Sequence, residues 1–326
     1  FKKENNVNER KWKLANIILV DGEKINDLNE CQINVRDCPP KKFKKDSFAK
    51  LARGKYKKDG KNYFYLRRKN INSNKNEYKT INISDLIYIR SYGNPIINID
   101  KKSKKIDFRF NSIKDKIVIY DSELKGWEIN GIAKGITNKR VPTESRFDEN
   151  LLTGSLVIQN AILKDIDLSF NNGFHEDSIN IVNSKGEINS INIKNSFQDA
   201  VDLDFSDLNI KKINIEDAGN DCVDISSGNY KIENIIANKC FDKGVSIGEK
   251  SNVNVFNLII NNAQIGLVVK DSSNVDVLRS NINNYSQCAA IYRKKQEFGS
   301  SFLAMPKSTC PKNKNIVQFN STIFYK

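Results

Sequence analysis

Carboxylate residues return at the same position every 22 residues in the second half of the chain. The residues that share a position are Asp177, Asp199, Asp221 and Lys243; Asn180, Asp202, Asp224 and Ser246; and Glu176, Gln198, Asn220 and Asp242. Carboxylates stacked on neighbouring turns raise one another's pKa or attract a cation. Such a cluster could supply acid–base catalysis or hold a metal ion. The alternative to a functional site is a structural role, because ladders of hydrogen-bonded Asp and Asn side chains in a solenoid have the same spacing.

The repeat around these residues predicts an all-β solenoid. The aligned segments are DSINI (177–181), DAVDL (199–203) and DCVDI (221–225). Apolar and polar residues alternate in them, as in strands, so that Val201, Leu203 and Phe205 alternate with two aspartates. Short strands at a fixed period, without a helical pattern, indicate stacked turns. We therefore predict a parallel β-helix over residues 95–300, with about 22 residues per turn.

The two ends of the chain do not follow the period. Residues 1–94 are predicted to form a basic N-terminal domain or cap, and residues 301–326 a C-terminal cap that covers an open strand edge. The net charge is +14, and residues 1–150 hold 35 Lys+Arg against 20 Asp+Glu. This excess favours an anionic partner, with a solvated lysine-rich surface as the alternative. No zinc-finger, RNA-binding aromatic or phosphate-loop motif occurs, so a nucleic acid is not expected.

Six cysteines fall into three plausible pairs: Cys31–Cys38, Cys222–Cys240 and Cys288–Cys310. An even number of cysteines suits disulfides and an oxidising compartment, and predicts a protein that is secreted, periplasmic or on the cell surface. A structural zinc site is not expected, because the chain has a single histidine and no zinc-type cysteine spacing. No apolar run approaches membrane-spanning length, so no transmembrane segment is expected.

Three segments together resemble the pectin-lyase-like right-handed parallel β-helices, and most closely the polygalacturonases. These segments are GNDCVDISSGN (219–229), CFDKGVSIG (240–248) and IGLVVKD (265–271). In that resemblance Asp199 matches the aspartate of the first family motif, and Asn220 with Asp221 matches the aspartate pair. Lys243 takes the place of the family histidine, and Val268 with Lys270 that of the basic pair. The resemblance also implies the Cys222–Cys240 disulfide.

The resemblance implies activity on an acidic, uronate-containing polysaccharide, by hydrolysis or by elimination. The candidate catalytic residues are Asp199, Asp202, Asp221, Asp224 and Lys243. Hydrolysis needs a protonated acid, which Asn220 cannot be, and Glu176, Asp224 or Asp242 are the substitutes. Elimination needs a cation and a base. Calcium bound by Asp177, Asp199, Asp202 and Asp221 would be the cation, and Lys243 the candidate base.

Other charged residues near the repeat are candidates for binding the substrate. They are Lys250, Lys270, Arg279, His175 and Glu176. The lysines and the arginine could hold an anionic sugar, and His175 could serve as acid or base near the groove. Ordinary surface charges and a turn histidine are the alternatives. Because the acid, histidine and arginine positions all depart from the family, a non-catalytic β-helix that binds glycan or serves as a structural, adhesin-like protein is the alternative function.

Overall fold

The computed structural model describes residues 78–134, 150 and 152–326, together with the backbone of residues 51–58 and 61–68. In the first compact unit, Phe1–Asn76, strand β1 (Leu51–Lys58) pairs antiparallel with β2 (Lys61–Arg68). The predicted Cys31–Cys38 pair and most of the predicted N-terminal domain, 1–94, lie outside the described residues.

The second compact unit, Glu77–Lys326, is built almost entirely of strands. In chain order these are β3 (Lys79–Ser84), β4 (Ile87–Tyr92), β5 (Ile96–Asp100), β6 (Lys105–Phe110), β7 (Lys116–Tyr120), β8 (Glu123–Lys125), β9 (Glu128–Ala133), β10 (Gly154–Gln159), β11 (Ile162–Asn171), β12 (Asp177–Val182), β13 (Lys185–Ser196), β14 (Asp199–Ala218), β15 (Val223–Gly248), β16 (Asn252–Lys270), β17 (Asn274–Tyr292), β18 (Phe302–Met305), β19 (Asn315–Val317) and β20 (Thr322–Tyr325). A short 3-10 helix, Lys312–Lys314, precedes β19.

Parallel pairing between successive turns confirms the predicted all-β solenoid. Asp177 of β12 pairs with Asp199 of β14, and Val201 pairs with Val223 of β15, so that one turn takes 22 residues. The described chain makes about nine such turns. Antiparallel pairs occur in β3 to β7, before the regular repeat. The solenoid unit therefore includes strands both before residue 95 and after residue 300.

The interior of the coil is filled by aliphatic residues that stack from turn to turn. One column is Ile179, Val201, Val223, Val245, Leu267 and Ala289, all of them buried. Alternation along each strand sends every second side chain inward, and one residue per turn then meets its equivalents on the neighbouring turns. Burying one such side chain contributes about 1.5–3 kcal/mol to the stability. The polar residues between them are left on the outside of the sheet.

Residues with left-handed backbone turn the chain at the corners. One corner column consists of Asn160, Asn183, Phe205 and Ser227, whose φ angles are 53°, 46°, 49° and 61°. Asparagine tolerates this conformation well, and a bulky residue does not. The alternation of Val201, Leu203 and Phe205 therefore ends at the corner. Val201 and Leu203 lie in the core, whereas 59% of Phe205 is exposed.

Two of the predicted disulfides are confirmed. Cys222 bonds to Cys240, and Cys288 to Cys310. All four cysteines are buried, so each bond ties two neighbouring turns together from within the core. Among the described residues, no helix has both the length and the apolar character needed to cross a membrane.

Candidate carboxylate site

The parallel register stacks the recurring aspartates on neighbouring turns along one surface of the coil, with Asp177, Asp199, Asp202 and Asp221 themselves buried. We call this surface the acidic face; it comprises residues 177–182, 199–204, 221–226 and 243–248. Asn180 pairs with Asp202, and Asp202 with Asp224, on successive turns. These residues alternate with core residues such as Val201, and so lie on the opposite side of the sheet. The predicted columns therefore exist.

Asp199 receives hydrogen bonds from the turn that follows it. Its Oδ1 accepts the backbone N–H of Asp221 at 2.8 Å and the side-chain amide of Asn220 at 2.7 Å. Asn220 stands where the resemblance places the family's acid, and here it serves as a donor to Asp199. It thus holds the carboxylate in place and supplies no proton of its own.

Asp221 is tied in turn to Lys243. Asp221 Oδ1 accepts the backbone N–H of Lys243 at 3.1 Å and its Nζ at 3.2 Å. The Nζ of Lys243 also donates to Asp242 Oδ2. Exposure rises outward through this group, from 5% of the Asp221 side chain to 18% for Lys243 and 32% for Asp242. Solvent therefore reaches the cluster from the side of Asp242.

Lys270 anchors the second column. Its Nζ donates to Ser246 Oγ at 2.5 Å and lies 3.6 Å from Asp224 Oδ1. The lysine is buried, and its aliphatic chain covers Gly248, where an added Cβ would meet Lys270 Cε at 2.8 Å. This predicted substrate-binding residue belongs to the cluster, but its ammonium group is directed at protein oxygens.

Among the residues that the structure describes, two groups of three carboxylates each offer one oxygen per residue, and these oxygens lie within 4.8 Å of one another. The two groups are Glu176 with Asp177 and Asp199, and Asp199 with Asp221 and Asp224. Asp199 belongs to both groups, and Asp202 to neither. The predicted calcium ligands Asp177, Asp199, Asp202 and Asp221 therefore do not form one such group. A cation at the second group would compete with the ammonium groups of Lys243 and Lys270.

The two central carboxyl groups bind protons unusually tightly. Burial raises the pKa of Asp199 to about 6, and the charge of Asp224 adds to the effect, although two donated hydrogen bonds oppose it. Burial together with the charge of Asp199 raises the pKa of Asp221 to about 7, although Lys243 pulls it down. Because the two groups interact, these values belong to the pair. The pair therefore takes up a proton near neutral pH.

Lys243 is unsuited to the role of a base. Burial alone would lower its pKa, but the charge of Asp221 and the hydrogen bond to Asp242 outweigh burial and raise the pKa well above the ordinary value for lysine. An amine that keeps its proton cannot take one from a sugar. The proposed role of Lys243 as the base of an elimination is thus not supported by its surroundings.

The remaining predicted binding residues lie in different places. Glu176 joins the first carboxylate group. Lys250 lies at the next corner, with φ of 63° and its Nζ 5.9 Å from the ring of Phe298. Arg279 pairs with Asn257 on another run of strand and stacks over Phe256, 5.1 Å from the ring centre, so it does not reach the acidic face.

His175 is held by contacts on both ring nitrogens. Its Nε2 lies 2.9 Å from the carbonyl oxygen of Ile113, and its Nδ1 lies 2.8 Å from Ser155 Oγ. A carbonyl can only accept, so Nε2 carries the proton, and in the neutral ring Nδ1 accepts from the serine. These contacts orient the ring within the fold.

Asp242 and Asn220 contact the cluster directly, although the sequence predicted neither as a catalytic, metal-binding or substrate-binding residue beyond naming Asp242 as a possible substitute acid. Both belong to the third column of the repeat, together with Glu176 and Gln198. The 22-residue period could have revealed them. The residues of this column come directly before Asp177, Asp199, Asp221 and Lys243 in the sequence, and so lie beside them on each turn. Their contacts with Lys243 and Asp199 show that this column forms the rim of the cluster.

A cavity of about 520 Å³ lies away from the acidic face. It is lined by residues of β5, β6, β9 and β11, among them Lys105, Arg109, Glu128 and Asn130. None of the recurring aspartates lines it. The carboxylate cluster is therefore distinct from this cavity, and its two central residues, Asp199 and Asp221, are each only 4% exposed.

Comparison with known proteins finds no match. No family model, no curated protein and no solved structure is similar to this chain. The resemblance to polygalacturonases thus rests on the motif residues alone, while the coil of parallel strands is compatible with a parallel β-helix fold.

Proposed function

We propose that this protein hydrolyses an acidic, uronate-containing polysaccharide on the acidic face, with Asp199 and Asp221 as the acid–base pair. The observation that carries the proposal is the carboxylate group of Asp199, Asp221 and Asp224, whose oxygens lie within 4.8 Å of one another beside a bound ammonium group. Two carboxyl groups that flank a glycosidic bond are what its hydrolysis requires.

The proton affinity of the pair supports acid–base chemistry. With pKa values of about 6 and about 7, one of the two carboxyl groups is protonated and the other ionised in the range between them. The protonated group can give its proton to the leaving oxygen, and the ionised group can receive one from water. The family's acid, replaced here by Asn220, is then not needed.

Charge and compartment agree with a polyanionic, extracellular substrate. The chain's net charge of +14, which comes from residues 1–150, favours a polyanionic partner, although the acidic face itself does not contribute to it. The disulfides Cys222–Cys240 and Cys288–Cys310 suit an oxidising compartment. Secretion, or a place in the periplasm or on the cell surface, is part of this proposal.

Elimination remains the second form of the catalytic proposal. It would need one of the carboxylates, and not Lys243, to take the proton next to the uronate carboxyl group. Absorbance by a new double bond distinguishes it from hydrolysis, which yields reducing ends alone.

A non-catalytic glycan-binding protein is the second candidate, and one observation favours it. Only 4% of Asp199 and 4% of Asp221 is exposed, and Lys243 covers the latter. In that case Asp199 and Asp221 serve to hold neighbouring turns together, and the glycan contacts only the more exposed rim of the cluster, which includes Asn220 and Asp242.

The decisive experiment compares wild-type protein with Asp221→Asn on polygalacturonate, alginate and hyaluronate. Reducing ends and ultraviolet absorbance are both followed, with circular dichroism to verify the fold. Glu233→Gln, which removes an exposed carboxylate elsewhere on β15, is the matched control. We expect reducing ends from wild type and Glu233→Gln, and a loss of at least about 100-fold in Asp221→Asn. Equal activity in all three proteins would refute the role of the pair, and binding without cleavage would establish the second candidate.

A further inference from the structure

Phe205 interrupts a hydrogen-bonded ladder at its corner of the solenoid. On the preceding turns, the Asn183 side-chain amide donates to Asn160 Oδ1 at 2.7 Å, and Asn160 donates to Asp121 Oδ1 at 3.1 Å. These residues share a left-handed backbone, which asparagine and aspartate adopt readily. The ladder stops at Phe205, on the turn that carries Asp199.

Neither the backbone nor the core accounts for a phenylalanine at this position. Its φ of 49° is unfavourable for a bulky residue, and 59% of the side chain remains in contact with solvent. Asparagine would relieve the backbone and extend the ladder. Backbone strain that a fold does not require is concentrated at functional sites.

Exposed phenylalanines lie at both margins of the acidic face. Phe205 directly follows the segment Asp199–Asp204. Phe241 directly precedes Asp242, the residue that shares Lys243 with Asp221, and 68% of Phe241 is exposed. Each of these two segments of the acidic face is thus flanked in sequence by a phenylalanine that is more than half exposed.

A polyanion needs contacts other than ion pairs to remain on this face. The face itself is rich in carboxylates, and its two central ammonium groups are already engaged: Lys243 with Asp221 and Asp242, and Lys270 with Asp224 and Ser246. Repulsion between like charges opposes binding of a carboxylated chain. Stacking on an aromatic ring is independent of charge, because the C–H face of a pyranose is apolar.

We propose that Phe205 and Phe241 are stacking platforms for pyranose rings of the polysaccharide, and position the chain over Asp199 and Asp221. The inference deepens the proposed function and rests on it. Both are positioning residues, so that they contribute to affinity and to the choice of polymer, while the acid–base pair carries the chemistry.

The test compares Phe205→Asn and Phe241→Ala with wild type. Phe319→Asn is the matched control, because Phe319 is also exposed and also has a left-handed φ, of 55°, but follows β19 near the end of the chain. Affinity electrophoresis in polygalacturonate, alginate, hyaluronate and a neutral glucomannan measures binding, initial rates separate KM from kcat, and urea unfolding measures stability.

We expect Phe205→Asn and Phe241→Ala to raise the dissociation constant and KM by about three- to tenfold, with kcat unchanged. Phe205→Asn should also raise the urea midpoint, since it removes strain and extends the ladder. Phe319→Asn should leave binding unchanged. A lower urea midpoint in Phe205→Asn, with unchanged binding, would show that the ring stabilises the fold and would overturn the inference.

The outcomes separate this inference from the function on which it rests. Cleavage or binding of an acidic polymer that is unaffected by either substitution overturns the stacking role and leaves the proposed function standing. Binding of the neutral polymer alone, weakened by Phe205→Asn, supports stacking and removes the acidic substrate. If no polymer binds to the wild type, both proposals fail.

Discussion

The backbone N–H of Asp221 donates to Asp199 Oδ1 at 2.8 Å, across one turn of the solenoid. The next turn repeats the contact, with the N–H of Lys243 donating to Asp221 Oδ1 at 3.1 Å. The carboxylates of Asp199 and Asp221 are therefore each fixed by the backbone of the equivalent residue on the next turn. The two carboxyl groups are held so close together that the ionisation of one opposes that of the other.

The first prediction concerns the pH dependence of cleavage. If Asp199 and Asp221 act as an acid–base pair, kcat/KM should follow a bell with apparent pKa values near 6 and near 7. Asp199→Asn should lower kcat/KM by at least about 100-fold and abolish one limb of the profile. Initial rates between pH 4 and 9 measure this, with Glu233→Gln as control. An unchanged bell in Asp199→Asn would contradict the assignment.

The second prediction concerns the pH dependence of stability. The pKa values of Asp199 and Asp221 are raised in the folded protein, so the stability they contribute is fully present below about pH 4 and is lost as the pH rises through about 6 and 7. The free energy of unfolding of wild type should therefore fall, relative to Asp221→Asn, by on the order of 2–3 kcal/mol between pH 4 and pH 8. Urea unfolding at several pH values measures the difference. A constant difference would show that Asp221 has an ordinary pKa.

The third prediction concerns calcium and Lys243. The carboxylates of Asp199, Asp221 and Asp224 could bind calcium, but the ammonium group of Lys243 competes for Asp221. We expect wild type to bind calcium weakly, with a dissociation constant on the order of 1 mM, and Lys243→Met to bind it more tightly. Isothermal titration calorimetry measures both, and Lys243→Arg, which keeps the charge, is the control. Tight binding by wild type that is lost in Asp202→Asn would instead favour the ligand set predicted from sequence.

The fourth prediction concerns the disulfide next to the site. Cys222 follows Asp221, and Cys240 lies two residues before Asp242, so this bond fixes the two turns that carry the cluster. Replacing both cysteines by alanine should cost about 3 kcal/mol of stability and also reduce activity. The same change at Cys288 and Cys310 is the control, and should reduce stability alone. Urea unfolding and reducing-end assays distinguish the two bonds; equal activity losses would remove the special role of Cys222–Cys240.

The sequence predicted the fold because the period of a solenoid is a property of the chain itself. Residues that recur every 22 positions, such as Asp177 and Asp199, meet on adjacent turns whatever their other surroundings. Two of the three cysteine pairs proposed from the sequence are also confirmed, and for Cys222–Cys240 the pairing was implied by the family resemblance. The predicted alternation was wrong for Phe205, because alternation holds only within a straight strand and a left-handed corner ends it. The antiparallel pairing among β3 to β7 has no counterpart in the period and was not predicted.

Which carboxylates share a proton or a cation was decided by the tertiary structure. The sequence placed Asp177, Asp199 and Asp221 in one column and Asp202 in a neighbouring column, since register alone determines that. Side-chain direction and burial then brought Asp199, Asp221 and Asp224 together and left Asp202 outside the group. Side-chain direction and burial depend on contacts with neighbouring turns, such as the ion pair between Lys243 and Asp221. Spacing along the chain does not encode these contacts.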